Sequence, residues 1–345
     1  MGTKITDLLE TKELSIEDLR GKVIVVDAFN QLYMFLSSIR QPDGSLLKDS
    51  HGNVTSHLNG LFYRFTKLMQ FDIKFIFVFD GEAPALKLKE RERRTKLKLE
   101  AESRYNTAVE EENLDDMKKF ASRTSKLTKE MIADAKELME ALGCTIIQAP
   151  SEGEAQAALI VKNKDAFASL SQDADSFLFG CPLVVKNLTL SGRKKMPNKL
   201  AYDTITPELI SLKDTLTKLE IDQDQLIVLA MLTGTDYNIG GIKGIGPKTA
   251  LKLVKEYGSG IDNFNKLFHD KKWSEHFECD WKDVFEIIKN TKTATDYKIA
   301  FKEVDVEKVV EILCAKHDFS EERTRKVLEG LQKRPVAQKG LIDYF

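Results

Sequence analysis

The chain has 345 residues, 42% of them hydrophobic, and carries 52 basic and 54 acidic side chains for a formal net charge of −2. That apolar fraction supports a packed core and excludes wholesale disorder, and no apolar run approaches the roughly 18–20 residues of a membrane helix. The opening MGTKITDLLE lacks the apolar stretch of a signal peptide, and Cys144, Cys181, Cys279 and Cys314 lie far apart with no C-x-x-C, which argues against a disulfide scaffold or zinc finger and for free thiols.

In chain order, KVIVVDA (22–28) is a β-branched run ending in an acid and predicts a strand. Phe29–Ile39 follows with apolar residues at three- and four-residue spacing, as does Leu58–Met69, so both predict helices. KFIFVFD (74–80) repeats the strand design, and CTIIQA (144–149) and AFASLSQD (166–173) resemble it. Strands alternating with helices predict an α/β fold around a mostly parallel central sheet flanked by helices. Ligands bind such sheets at the carboxyl ends of the strands, where Asp27, Asp80 and Asp173 lie.

Residues 84–122 are highly charged and poor in large apolar residues, which predicts an exposed helical arm. Here the signs separate. Lys87–Lys98 holds seven bases and two acids, whereas EEENLDD (110–116) holds five acids and no base. Lys87, Arg91, Arg94 and Lys98 are spaced four, three and four, one face of a helix. Four like charges on one face suit a phosphate backbone, although a solvated face has the same spacing. Further on, GRKKMPNK (192–199) reads as a basic loop, equally suited to DNA or to solvent. The second half predicts helices at Thr206–Leu219, Asp222–Thr233, Pro247–Tyr257 and Glu321–Leu331, the last after Ser320 as N-cap. GIKGIGPKTA (241–250) places glycines before a helix whose first residue is a proline, a geometry that brings backbone amides to a phosphate. KRPVAQKGLIDYF (333–345) reads as a tail.

Seven acids fall at strand ends and helix starts: Asp27, Asp80, Glu152, Glu154, Asp173, Asp175 and Asp236. In SEGE (151–154), Ser151 fits an N-cap and Glu154 its capping-box partner. Taken singly, these acids also fit helix-end or turn roles. Gathered at one end of a sheet they repel unless cations neutralise them, and an all-oxygen set suits Mg²⁺ or Mn²⁺ rather than zinc. Two such ions serve phosphoryl transfer.

VVDAFNQLY (25–33), FVFDGEAP (77–84), APSEGEAQAA (149–158), SQDADS (171–176), TGTDYN (233–238) and GIKGIGPKTAL (241–251) occur in this order. In these six motifs the sequence resembles the structure-specific 5′ nucleases, specifically the flap endonucleases, over its whole length. The resemblance implies that the seven acids hold two divalent ions, Asp27, Asp80, Glu152 and Glu154 favouring one and Asp173, Asp175 and Asp236 the other. It implies that Lys87 and Arg94 polarise the cut phosphate and that Tyr33 stacks on a nearby base. Arg91 and Lys98 extend the gateway and arch that admit a 5′ flap. Gly244, Gly246, Lys243 and Lys248 grip the duplex in a helix–two-turn–helix element that holds K⁺, and VTSHLNGLFYR (54–64) matches the region that receives a 3′ flap.

Gln338, Leu341, Tyr344 and Phe345 resemble a sliding-clamp-binding peptide, and the longer basic tail of eukaryotic relatives does not follow it. The implied protein is an archaeal-type, monomeric, cytoplasmic enzyme that cleaves branched DNA near the junction, leaving a 5′-phosphate and a 3′-hydroxyl. It would add 5′–3′ exonuclease activity and serve Okazaki-fragment maturation and base-excision repair. The implied organisation is an N-terminal nuclease region (1–100), the rest of the arch (101–122), an internal nuclease region with the helix–two-turn–helix (123–258), a C-terminal helical part (259–335) and the clamp tail (336–345). Two positions depart from the family pattern, Ala174, where relatives carry a larger residue, and Glu82, where a base is common. A bubble-cutting or purely exonucleolytic relative, or a catalytically silent junction-binding partner of the clamp, shares parts of this pattern.

Overall fold

Alternation of apolar side chains builds the sheet. In Val23–Asp27 (β2), Ile24 and Val26 enter one core and Val25 the other. In Lys74–Phe79 (β3), Phe75, Phe77 and Phe79 share the first core, and Ile76 and Val78 the second. This is the period of two of a strand, and because both faces are apolar both must be covered. The computed structural model describes residues 5–332 apart from 112, 114, 115, 117–119, 121–123, 191 and 196–201.

The sheet has seven strands in the order β1 (Thr11–Glu13), β9 (Glu208–Ser211), β6 (Leu183–Lys186), β5 (Ala168–Leu170), β2, β3 and β4 (Thr145–Gln148). Strands β6, β5, β2, β3 and β4 run parallel, while β9 and β1 add antiparallel pairs at one edge. Helices Ala28–Ser38 and Lys129–Ala141, with the segment Ser56–Met69, cover the face bearing the β3 phenylalanines. There Phe65 meets Phe75 and Phe77 edge-on, each with ring centroids 4.9 Å apart. Gly60 lets the segment approach the Ala28–Ser38 helix, since a Cβ there would lie 2.3 Å from the Phe35 ring. Helices Gly153–Lys162 and Gln223–Thr233 cover the opposite face.

Several expectations are corrected. The helix foreseen over Thr206–Leu219 is a strand followed by a helix. Glu208–Ser211 completes the edge of β6, and Ser211 then caps Leu212–Leu219, its side chain accepting from the Asp214 N–H. The helix foreseen at 58–69 begins at Ser56 and contains a π-helical turn at Leu61–Phe65. The strand foreseen over 166–173 is limited to Ala168–Leu170, the residues that pair with β2 and β6; beyond them the Ser171 hydroxyl accepts from the Asp173 N–H in a bend. The basic loop foreseen at 192–199 begins as strand Gly192–Lys195 (β7), antiparallel to Tyr202–Ile205 (β8).

The charged arm opens with a 3₁₀ turn, Ala85–Lys87, and continues as the helix Leu88–Glu110. Helix Gln223–Thr233, buried from Gln225 to Thr233, leads through two tight turns to Pro247–Tyr257. Among the described residues, no helix is long and apolar enough to cross a membrane.

Candidate active site

The acids are positioned by the ends of the parallel strands. Asp27 ends β2 and caps the next helix, accepting from the Asn30 N–H at 3.0 Å. Asp80 directly follows β3 and accepts from the Gly153 N–H at 2.6 Å. A Cβ at residue 153 would lie 2.6 Å from the Asp80 carboxylate, so a larger residue there would push that carboxylate from its place. Ser151 is not the N-cap foreseen. Glu152 holds that position without a side-chain capping bond, and the Ser151 hydroxyl donates to the Glu82 carbonyl at 3.1 Å. Glu154 therefore has no capping-box role, and it accepts from the Ser171 and Ser176 hydroxyls at 3.0 and 3.3 Å. Asp173 accepts from the Asn30 amide at 3.2 Å, Asp175 opens its 3₁₀ turn, and Asp236 lies in the turn after Gln223–Thr233.

These side chains share one electrostatic environment. Burial, then Asp80 and further off Asp173, pushes the Asp27 carboxyl up to about 7, against the Asn30 N–H and Lys87. Burial and Glu152 raise Asp80. Burial, then Asp175, Asp27 and Asp173, raise Glu154 well above the carboxylate range. The structure thus brings together the acids that the sequence offers from five separate motifs.

Two cations enter from the arm. The Lys87 ammonium lies 2.6 Å from Glu152 and 3.4 Å from Asp236, and the Arg94 guanidinium lies 2.6 Å from Asp236. Burial opposes the charge on Lys87, but Glu152 and Asp236 outweigh it and raise the pKa. Lys98 sits 4.6 Å over the ring of Tyr33, which is 39% exposed. Arg91, the fourth member of the stripe, is exposed.

Three neighbours were not singled out in the sequence, although Glu90 carries a local signal in Arg93 and Arg94, three and four residues on. Asn30 braces both Asp27 and Asp173. Tyr237 buries an unpartnered hydroxyl, and burial, then Glu152 and Asp236, raise its pKa. Glu90, 2% exposed, accepts from Arg93 and Arg94. Of the glycine loop, Gly246 caps Pro247–Tyr257, Gly244 has φ of +86°, and Lys243 and Lys248 are exposed. Gln338, Leu341, Tyr344 and Phe345 lie outside the described residues.

The donor set fits hard divalent cations: seven carboxylates and no histidine at the strand ends, helix starts and turns, two of them paired to Lys87 and Arg94. Among the described residues, however, no three acidic, His or Cys side chains form a ready ligand cluster. Lys87 and Arg94 hold Glu152 and Asp236, while backbone N–H groups hold Asp27 and Asp80. The expected cage is therefore a convergence of acids on protein donors, from which side chains must turn to grip an ion.

The raised Asp27 pKa has a thermodynamic sign. A carboxyl harder to ionise in the fold than in the unfolded chain stabilises below its ordinary pKa, near 4, and loses that contribution as pH rises to about 7. In chelator, Asp27→Asn is therefore expected to gain stability relative to the parent across this window, by at most about 1.4 kcal/mol per pH unit. Urea unfolding at pH 4.5 and 7.5 measures it, and an equal difference at both pH values refutes the assignment.

An α/β sheet with carboxylates at its strand ends under a cationic helix defines a nuclease-like site, and the comparisons give its family. The XPG N-terminal domain model matches residues 3–101 and the XPG I-region model residues 143–236. The flap endonuclease 1 of Thermococcus onnurineus is 46% identical over 339 residues, covering 98% of this chain and 97% of the relative. That of Pyrococcus horikoshii is 45% identical over 347 residues, covering 100% and 98%. The solved flap endonuclease-1 from Methanococcus jannaschii superposes with a TM-score of 0.73 at 37% identity, over 96% of this chain and 98% of that one. The catalytic core of Rad2 in complex with a DNA substrate shares the fold, with a TM-score of 0.70 at 24% identity over 96% of this chain and 100% of that one. The chain belongs to the flap endonuclease family.

Proposed function

We propose that this protein is a magnesium-dependent 5′ flap endonuclease that cuts branched DNA near the junction of single and double strands, with accompanying 5′–3′ exonuclease activity. The observation that carries the reading is the convergence of acids from the strand ends and adjoining turns, with Lys87 and Arg94 paired to Glu152 and Asp236 among them. Asp27, Asp80, Glu152, Glu154, Asp173, Asp175 and Asp236 would hold two Mg²⁺, or Mn²⁺, which when bound would activate the attacking water and neutralise the leaving oxygen.

The chain's own groups do the rest. Lys87 and Arg94 exchange carboxylate partners for oxygens of the cut phosphate, where their charge counts most as negative charge develops. Tyr33 offers an exposed ring to the neighbouring base, with Lys98 beside it for a phosphate. Arg91 adds charge along the strand's path. Lys243, Lys248 and the amides around Gly244 and Gly246 grip the duplex, with K⁺ at the loop. Gln338, Leu341, Tyr344 and Phe345 tether a monomer to a sliding clamp, raising its local concentration on the chromosome, and place it in the cytoplasm in replication and repair. The boundaries proposed for these parts are 1–100, 101–122, 123–258, 259–335 and 336–345.

Cleavage of matched flap, nicked and bubble substrates in Mg²⁺ tests the reading. The double flap is expected to be cut fastest, at a single site near the junction. Preference for the bubble or nick favours the related nucleases, and tight binding with no product makes the chain a silent junction binder.

A further inference from the structure

We propose that Glu90 is a positioning residue that fixes the guanidinium of Arg94, so that one edge is anchored to the arm helix and the other is presented to the cut phosphate. This rests on the reading above, that Arg94 faces that phosphate.

Glu90 lies in the first turn of Leu88–Glu110, inside the most basic stretch of the chain. Its neighbours Lys89, Arg91 and Glu92 are exposed, whereas Glu90 is 2% exposed. An acid is rarely so buried unless paired, and both oxygens of Glu90 are in use. Oε2 accepts from Arg93 Nε at 2.7 Å, and Oε1 accepts from Arg93 Nη2 at 2.8 Å and from Arg94 Nε at 2.7 Å. The arginine bonds, Arg93 first, lower its pKa and keep it ionised.

Arg94 is held at two points. Nε bonds Glu90 on its own helix, and Nη2 bonds Asp236 Oδ1 at 2.6 Å in the turn after a different helix. A guanidinium is planar and rigid, so fixing Nε sets the direction of its terminal nitrogens. The side chain is 42% exposed, and without Glu90 only the bond to Asp236 would direct it. That bond must yield when Arg94 turns to the phosphate, so Glu90 is the anchor that remains. Arg93 meanwhile takes up part of the negative charge of Glu90, which aims Arg94 without neutralising it. Glu90 accepts three hydrogen bonds from arginines of its own helix, which separates it from the seven carboxylates.

Single-turnover cutting of a double-flap junction by the full chain in Mg²⁺, with junction affinity measured separately in Ca²⁺, tests the proposal. Glu90→Gln keeps length and helix propensity but loses the charge. It is expected to cut about 10- to 100-fold more slowly, the scale of a misplaced reacting group, with affinity within about twofold. Glu90→Asp, which keeps the charge, is expected to cut faster than Glu90→Gln. Glu90→Gln added to Arg94→Ala is expected to cause no further loss, because the two act as one unit, and the exposed Glu92→Gln is expected to match the parent. A Glu90→Gln rate equal to the parent's, losses that multiply in the double variant, or Glu90→Asp slower than Glu90→Gln overturns the positioning role. A parent that cuts no flap overturns the reading of the site on which it rests.

Discussion

Asp236→Ala is expected to abolish cutting while leaving the DNA junction bound, and Asp175→Ala to do the same. Asp236 is the acid that both arm cations reach, Lys87 at 3.4 Å and Arg94 at 2.6 Å, and Asp175 raises the pKa of the half-buried Glu154. Removing either takes a negative charge from a pocket that must receive a phosphate, so affinity for DNA is expected to hold or rise. The same change removes an oxygen proposed to hold a divalent ion. The rate is expected to fall by more than about 10³-fold, beyond the usual effect of losing one stabilising donor. Binding measured by fluorescence anisotropy beside single-turnover cutting separates the two effects. A variant that cuts within tenfold of the parent contradicts the metal-holding role, and one that loses the junction as well points to a fold defect.

Lys87→Ala carries the second large effect. The ammonium is the most enclosed cation at the site, with its side chain 19% exposed and both Glu152 and Asp236 within 3.4 Å. Such a charge is held in place before the phosphate arrives, so little reorganisation is needed as negative charge develops. Turnover is expected to drop about 10²–10³-fold, the typical result of deleting one preorganised donor, with KM nearly unchanged. A loss confined to KM would make Lys87 a simple phosphate anchor.

The catalytic end of the sheet was legible because β2 and β3 each lead directly into an acid. KVIVVDA and KFIFVFD are β-branched or aromatic runs closed by Asp27 and Asp80, and the structure ends β2 at Asp27 and β3 one residue before Asp80. The antiparallel edge was not. ELIS (208–211) sits in a helical pattern, and it becomes β9 because β6 offers it a partner, a fact no local window contains. Ser151 looked like an N-cap because serine is the ordinary choice, but its hydroxyl is taken by the Glu82 carbonyl. Glu90 was hidden for another reason. Its arginines lie three and four residues on, a local helical signal that Glu92, with Thr95 and Lys96 at those positions, has only in part, but only the fold shows that Glu90 is buried and that Arg94 also reaches Asp236. The arm cations read as one helical stripe, yet Lys87 precedes the helix in a 3₁₀ turn, which turns it onto Glu152.

Cutting of a double-flap DNA junction by the purified protein, with Mg²⁺ and then with excess chelator, tests the central claim most directly. The account predicts one incision near the branch point in Mg²⁺ and none in chelator, with cutting restored when Mg²⁺ is added back. Incision that persists undiminished in chelator, or a junction left intact in Mg²⁺, would contradict it.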